Sequence, residues 1–72
     1  MGFSVAITHR LGSGFPDIVV GDGRTSRNYL FEIKSDDGKL TPDEDKFAAG
    51  WKAQWNIIYS TEDALKIMEN EQ

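Results

Sequence analysis

Between residues 28 and 34 apolar and polar side chains alternate. Tyr29, Phe31 and Ile33 fall on one side of an extended chain, and Leu30, Glu32 and Lys34 on the other. This period of two predicts a strand, and it places two charges, Glu32 and Lys34, on one face toward its C-terminal end. Residues 3–8 form a second extended run, with Val5 and Ile7 flanked by small side chains. Residues 16–20 form a third, whose leading Pro16 is tolerable where a missing N–H faces a sheet edge. Gly12-Ser13-Gly14, a polar loop over residues 21–27 containing Asp22-Gly23, and Asp36-Asp37-Gly38 supply the turns.

After residue 40 the period changes. Thr41-Pro42-Asp43-Glu44 is a helix start: Thr41 caps, Pro42 suits the first helical position, and Glu44 stands three residues after the cap. Phe47, Ala48, Trp51 and Trp55 recur at helical spacing, which predicts a helix to about residue 54 with one apolar stripe. Glu44 lies at the edge of that stripe and leans toward the sheet, while Asp43 and Asp45 lean away. Residues 56–59 predict a fourth strand, and Ser60 or Thr61 caps a last helix carrying Ala64, Leu65 and Met68. The order β-β-β-α-β-α predicts a small α/β fold, with a mixed sheet of about four strands and helices packed on it. Three strands in succession form an antiparallel meander, and the strand–helix–strand segment adds a parallel neighbour by a right-handed crossover.

Length confines this pattern to one domain over residues 1–72. A chain of this size buries only roughly 60% of its unfolded surface. With no cysteine for disulfides or thiolate metal sites, a homodimer is the expected source of added stability. No apolar run is long enough to span a bilayer, and the first ten residues lack the features of a signal peptide, so no membrane partner and a cytoplasmic location are expected. The net charge of −4 is uneven. Residues 1–34 hold four basic and three acidic side chains, and residues 35–72 hold four and nine. This balance argues against a broad basic groove, and less against carboxylates gathered around a cation.

Asp17 follows Pro16 at the start of one strand, and Glu32 and Lys34 share a face of another. If the two strands pair, Asp17 and Glu32 meet at one end of the sheet with Lys34 beside them. Two carboxylates and the Ile33 carbonyl form a hard oxygen site for Mg²⁺ or Mn²⁺. A neighbouring lysine orients water and holds a phosphate oxygen, a set suited to phosphodiester hydrolysis.

Pro16-Asp17 followed by Glu32-Ile33-Lys34 resembles the PD-(D/E)XK nuclease superfamily. Gly14-Phe15-Pro16-Asp17-Ile18-Val19-Val20-Gly21, Phe31-Glu32-Ile33-Lys34-Ser35 and Gly38-Lys39-Leu40-Thr41-Pro42-Asp43-Glu44 are similar to its VRR-NUC branch, the virus-type replication-repair nucleases. In that branch a GxPD strand leads to an E(V/I)K strand, a GxLSPxQ helix start, and a strand ending in RS before a final helix. Ile57-Ile58-Tyr59-Ser60-Thr61-Glu62-Asp63 fits the last element, and the resemblance covers residues 12–65. It implies a restriction-endonuclease-like core and a metal-dependent DNA endonuclease, often acting on branched, junction or flap DNA in phage or repair settings. Asp17 and Glu32 would be metal ligands, Ile33 would offer its carbonyl, and Lys34 would be the motif lysine. Glu44 takes the position of the usual glutamine and is a further catalytic candidate. The helix with another acid that precedes the first strand in the family is missing from residues 1–72; that acid is then dispensable, lies outside this sequence, or is replaced by a partner subunit, and the last would fit a homodimer.

Blander readings accompany each of these residues. Glu32 and Lys34 alone would be a cross-strand charge pair, and Glu44 a capping residue. His9, Arg10, Arg24, Arg27 and Lys39 are candidate phosphate contacts, against ordinary surface solubility. Trp51 and Trp55 are expected in the core or a dimer interface rather than as base-stacking platforms. The alternative function is a weak or inactive nuclease-fold module that binds DNA or a protein partner. A purely structural domain requires Asp17 and Glu32 to lie apart.

Overall fold

The computed structural model describes residues 2–35 and 38–70. The expected turn at Asp36-Asp37-Gly38 lies mostly outside them. The elements are β1 (Phe3–Ile7), β2 (Ile18–Asp22), β3 (Arg27–Ile33), α1 (Pro42–Gly50), β4 (Asn56–Ile58) and α2 (Thr61–Asn70), with a 3₁₀ turn at His9–Leu11. They form one four-stranded sheet in the order β1-β2-β3-β4. The first three strands are antiparallel and β4 runs parallel to β3. This is the mixed-sheet β-β-β-α-β-α architecture that the patterning predicts.

One face of the sheet carries the core. Val5, Val20 and Tyr29 align across the first three strands, as do Ile7, Ile18 and Phe31. Val20, Tyr29, Phe31, Ile58, Ala64 and Met68 are buried together, with Ile18, Leu65 and Ile67 packed against them. Ala64, Leu65 and Met68 line one side of α2, as expected of an amphipathic helix. The Tyr29 and Phe31 rings are stacked with centroids 6.1 Å apart. Each fully buried side chain of this kind contributes about 1.5–3 kcal/mol. The Ser60 hydroxyl starts α2 by accepting from the Asp63 N–H, while the Asp63 carboxylate accepts from the Tyr59 N–H.

Two elements differ from the sequence pattern by more than one residue. β2 runs from Ile18 to Asp22, so Asp17 stands just before the strand, and Gly21 and Asp22 pair rather than loop. Pro16 has no N–H for a ladder, whereas Gly21 and Asp22 find partners on both sides in Ser4, Phe3, Asn28 and Arg27. α1 stops at Gly50 instead of residue 54. Trp51 turns extended there, and its N–H caps the Phe47 carbonyl at 2.9 Å. The next residues are recruited by the sheet. The Gln54 side-chain amide accepts from the Leu30 N–H at 2.7 Å and donates to the Leu30 carbonyl at 2.9 Å. It thereby extends the β3 ladder one step beyond the first Phe31–Asn56 pair of β4.

The single apolar stripe expected from Phe47 to Trp55 is therefore broken. α1 contains no fully buried residue, and Trp51 is 41% exposed rather than in the core. No helix among the described residues is long and apolar enough to cross a membrane.

Candidate functional site

The site forms where β2 begins and β3 ends. Ile18 pairs with Phe31, the last register step between these strands. One residue further, Asp17 replaces the ladder with its side chain: Oδ2 accepts the Ile33 N–H at 2.9 Å. The Asp17 backbone is fixed from the other side by Thr8, whose N–H donates to the Asp17 carbonyl at 2.7 Å. The Thr8 hydroxyl donates to the Pro16 carbonyl at 2.8 Å. Thr8 is a positioning residue that the sequence pattern did not reveal. A hydroxyl at a strand end is its only trace.

Glu32 projects from the face of β3 opposite the core, yet it is only 2% exposed. No N–H donor of the described residues reaches its Oε1, and its Oε2 lies 3.7 Å from the Lys34 ammonium. Burial pushes its carboxyl up to about 8, and hydrogen bonds to the Asp17 and Glu44 carboxylates, together with their charge, push in the same direction. A buried carboxylate among other acids needs a proton or a cation.

Glu44 reaches the same corner from α1. Its Oε1 accepts the Thr41 N–H at 2.9 Å, and the Thr41 hydroxyl accepts the Glu44 N–H at 3.2 Å, closing a capping box. The same Oε1 lies 2.8 Å from Lys34 Nζ. Burial alone would raise the Glu44 carboxyl, but Lys34 and the Thr41 N–H hold it below the ordinary value. Lys34 is correspondingly raised, chiefly by its hydrogen bond to Glu44. Asp43 and Asp45 are exposed, as the helical spacing predicts.

Gly14 fits the α1 start against the loop that carries Asp17. Its φ is +78°, and a Cβ there would collide with the Asp43 carbonyl. Phe15 packs edge-on against Phe47 with ring centroids 5.3 Å apart. Together these contacts set the distance between the Glu44 and Asp17 segments.

Of the residues singled out from sequence, Asp17, Glu32, Lys34 and Glu44 converge. Ile33 joins them, here through its backbone N–H on Asp17. His9 and Arg10 form the 3₁₀ turn directly after Thr8, at the same end of the sheet, and both are exposed. Lys39 is exposed in the segment leading into α1. Arg24 and Arg27 belong to the opposite end, about 17 Å away along β2 at the usual rise per residue. Arg24 is held there. Its Nε and Nη2 each lie 3.0 Å from the buried Asp22 carboxylate, and its guanidinium lies 5.0 Å from the Phe3 ring centre. That pairing holds the Asp22 carboxyl below its ordinary value.

The donor set fits a hard cation in its chemistry. Asp17 and Glu32 offer carboxylate oxygens, and no N–H donor of the described residues reaches Glu32 Oε1. Among the described residues no three His, Cys, Asp or Glu side chains form a ready-made ligand set. Compared with known proteins, the chain matches no family model, no curated sequence and no solved structure.

Proposed function

We propose that this chain is a divalent-metal-dependent endonuclease that hydrolyses phosphodiester bonds in DNA, with branched, junction or flap DNA as its substrate class. One observation carries the reading: the buried Glu32 carboxyl lies within hydrogen-bonding reach of the Asp17 and Glu44 carboxylates, beside the Lys34 amine. The resemblance of residues 12–65 to the VRR-NUC nucleases supports it.

In this reading Asp17 and Glu32 hold Mg²⁺ or Mn²⁺. Such an ion polarises the phosphate and makes water a better nucleophile at neutral pH. Lys34 then donates to the attacking water or to a non-bridging phosphate oxygen. Glu44 pairs with the Lys34 amine and restrains it at the first turn of α1, so the amine is shared between Glu44 and the phosphate. Thr8 and the Ile33 N–H keep Asp17 in place. His9, Arg10 and Lys39 lie at the same end of the molecule and contact flanking phosphates. A homodimer in the cytoplasm would present two such sites, as cutting both strands of a junction requires.

The test is incubation of the purified chain with branched, flap and linear DNA in Mn²⁺ or in EDTA. The reading expects Mn²⁺-dependent cleavage that Asp17→Ala and Glu32→Ala abolish without loss of the fold. Full activity in either variant overturns it.

The 2.8 Å Lys34–Glu44 pair favours a second reading, because it occupies the motif lysine with a carboxylate. In that case the chain is a weak or inactive nuclease-fold module that binds DNA or a protein partner. Such a module shows no Asp17-dependent heat when titrated with Mn²⁺.

A further inference from the structure

The aromatic residues beside the acidic corner have no part in the core. Phe47 stacks on Trp51 with centroids 5.0 Å apart and planes 17° from parallel. Phe15 stands edge-on to both, at 5.3 Å from Phe47 and 6.5 Å from Trp51. None of the three belongs to the buried cluster on the other face of the sheet. Trp51 remains 41% exposed although Phe47 covers one side of its ring. Its indole N–H is already satisfied by the Gln54 carbonyl at 3.2 Å. The ring is thus fixed at its polar edge and backed by a second ring, with apolar surface turned to solvent.

We infer that Trp51, backed by Phe47 and Phe15, is a stacking platform for an unpaired nucleobase of the DNA strand entering the acidic site. This inference rests on the nuclease reading and gives it a substrate preference, for single-stranded or flap DNA over continuous duplex. Chain continuity points to this occupant. Phe15 lies two residues before Asp17, and Phe47 lies one helical turn after Glu44, so the same two segments carry both the ledge and the acidic site. A stacking ledge selects an unpaired base, since a duplex offers no free base face away from its ends.

The experiment measures binding in EDTA, where no cleavage occurs, to a labelled oligo-dT and to a duplex of equal length. A Trp55→Phe background leaves Trp51 as the sole tryptophan, and oligo-dT is expected to quench its emission. Trp51→Ala should weaken oligo-dT binding about tenfold and duplex binding less than about twofold, with the salt dependence unchanged. Trp51→Phe keeps an aromatic face and should recover most of the loss, which separates stacking from damage to the fold. Absence of quenching overturns the inference, as does equal loss on both DNAs. So does conversion of a dimer to monomers by Trp51→Ala, which would make the ring a subunit contact. The two readings fail separately. Quenching without Mn²⁺-dependent cleavage leaves the platform standing and removes the nuclease. Cleavage with unchanged oligo-dT binding in Trp51→Ala does the reverse.

Discussion

The Lys34 ammonium lies 2.8 Å from Glu44 on α1 and 3.7 Å from Glu32 on its own strand. The amine therefore ties the first turn of α1 to the end of β3, and the identity of residue 44 governs how free it is. Glu44→Gln retains a capping-box partner for Thr41 but removes the charge that holds Lys34. Its stability cost should stay below about 1 kcal/mol. Cleavage in Mn²⁺ should be at least as fast as in the wild-type chain, because Lys34 is released toward phosphate. A tenfold slower rate at equal stability would instead give Glu44 a direct part in the chemistry.

Glu32 gives the metal-free protein a distinctive pH dependence. In the unfolded chain its carboxyl has the ordinary value of 4.5, and in the folded chain it is raised to about 8. Between those values the folded state binds the extra proton, so stability falls as pH rises. The contribution is fully present below 4.5 and is lost as pH passes 8. Thermal melts in EDTA should decline across this window. Glu32→Gln should flatten that part of the decline and raise the melting temperature at the alkaline end, while abolishing cleavage. An unchanged pH profile in the variant would place the titration elsewhere.

Much of this corner was legible in the sequence because strand alternation is simple. Once Tyr29 and Phe31 claim the core face, Glu32 and Lys34 must share the other. The helix start was equally legible, since Thr41, Pro42 and Glu44 act within one turn. What escaped was set by non-local contacts. Nothing in residues 51–54 indicates that Gln54 will bond to Leu30, and that bond accompanies the early end of α1 and the exposure of Trp51. Thr8 and Gly14 acquire their roles only when the chain folds back on Asp17 and Asp43. The pairing of Arg24 with Asp22 was hidden too, because it depends on Asp22 being buried in the sheet.

Gly14 offers a test of how the site is assembled. An alanine there must adopt φ near +78° and place its Cβ on the Asp43 carbonyl. Gly14→Ala should cost at least about 1–2 kcal/mol. For a domain of this size that is a fall of about 4–8 °C in melting temperature per kcal/mol. Displacement of α1 should also slow cleavage more than the fraction unfolded explains. A variant with wild-type stability would mean that the loop and α1 are not held against each other at this point.

The five candidate phosphate contacts divide by position. Arg10→Gln and Lys39→Gln should each weaken DNA binding and reduce the salt slope by about one. Arg24→Gln should leave both unchanged, since its guanidinium is committed to Asp22. It should instead lower thermal stability by stranding a buried carboxylate. Fluorescence anisotropy at several salt concentrations, with a melt for each variant, checks both halves. A loss of DNA affinity in Arg24→Gln, with stability intact, would move the binding surface to the other end of the sheet.

Calorimetric titration of Mn²⁺ into the folded, metal-free chain addresses the central claim most directly. Asp17 and Glu32 sharing one cation predicts a saturable heat, with protons released from Glu32 below about pH 8. Asp17→Asn and Glu32→Gln should each eliminate that heat while remaining folded. Wild-type heats in both variants, or none in the parent chain, would contradict it.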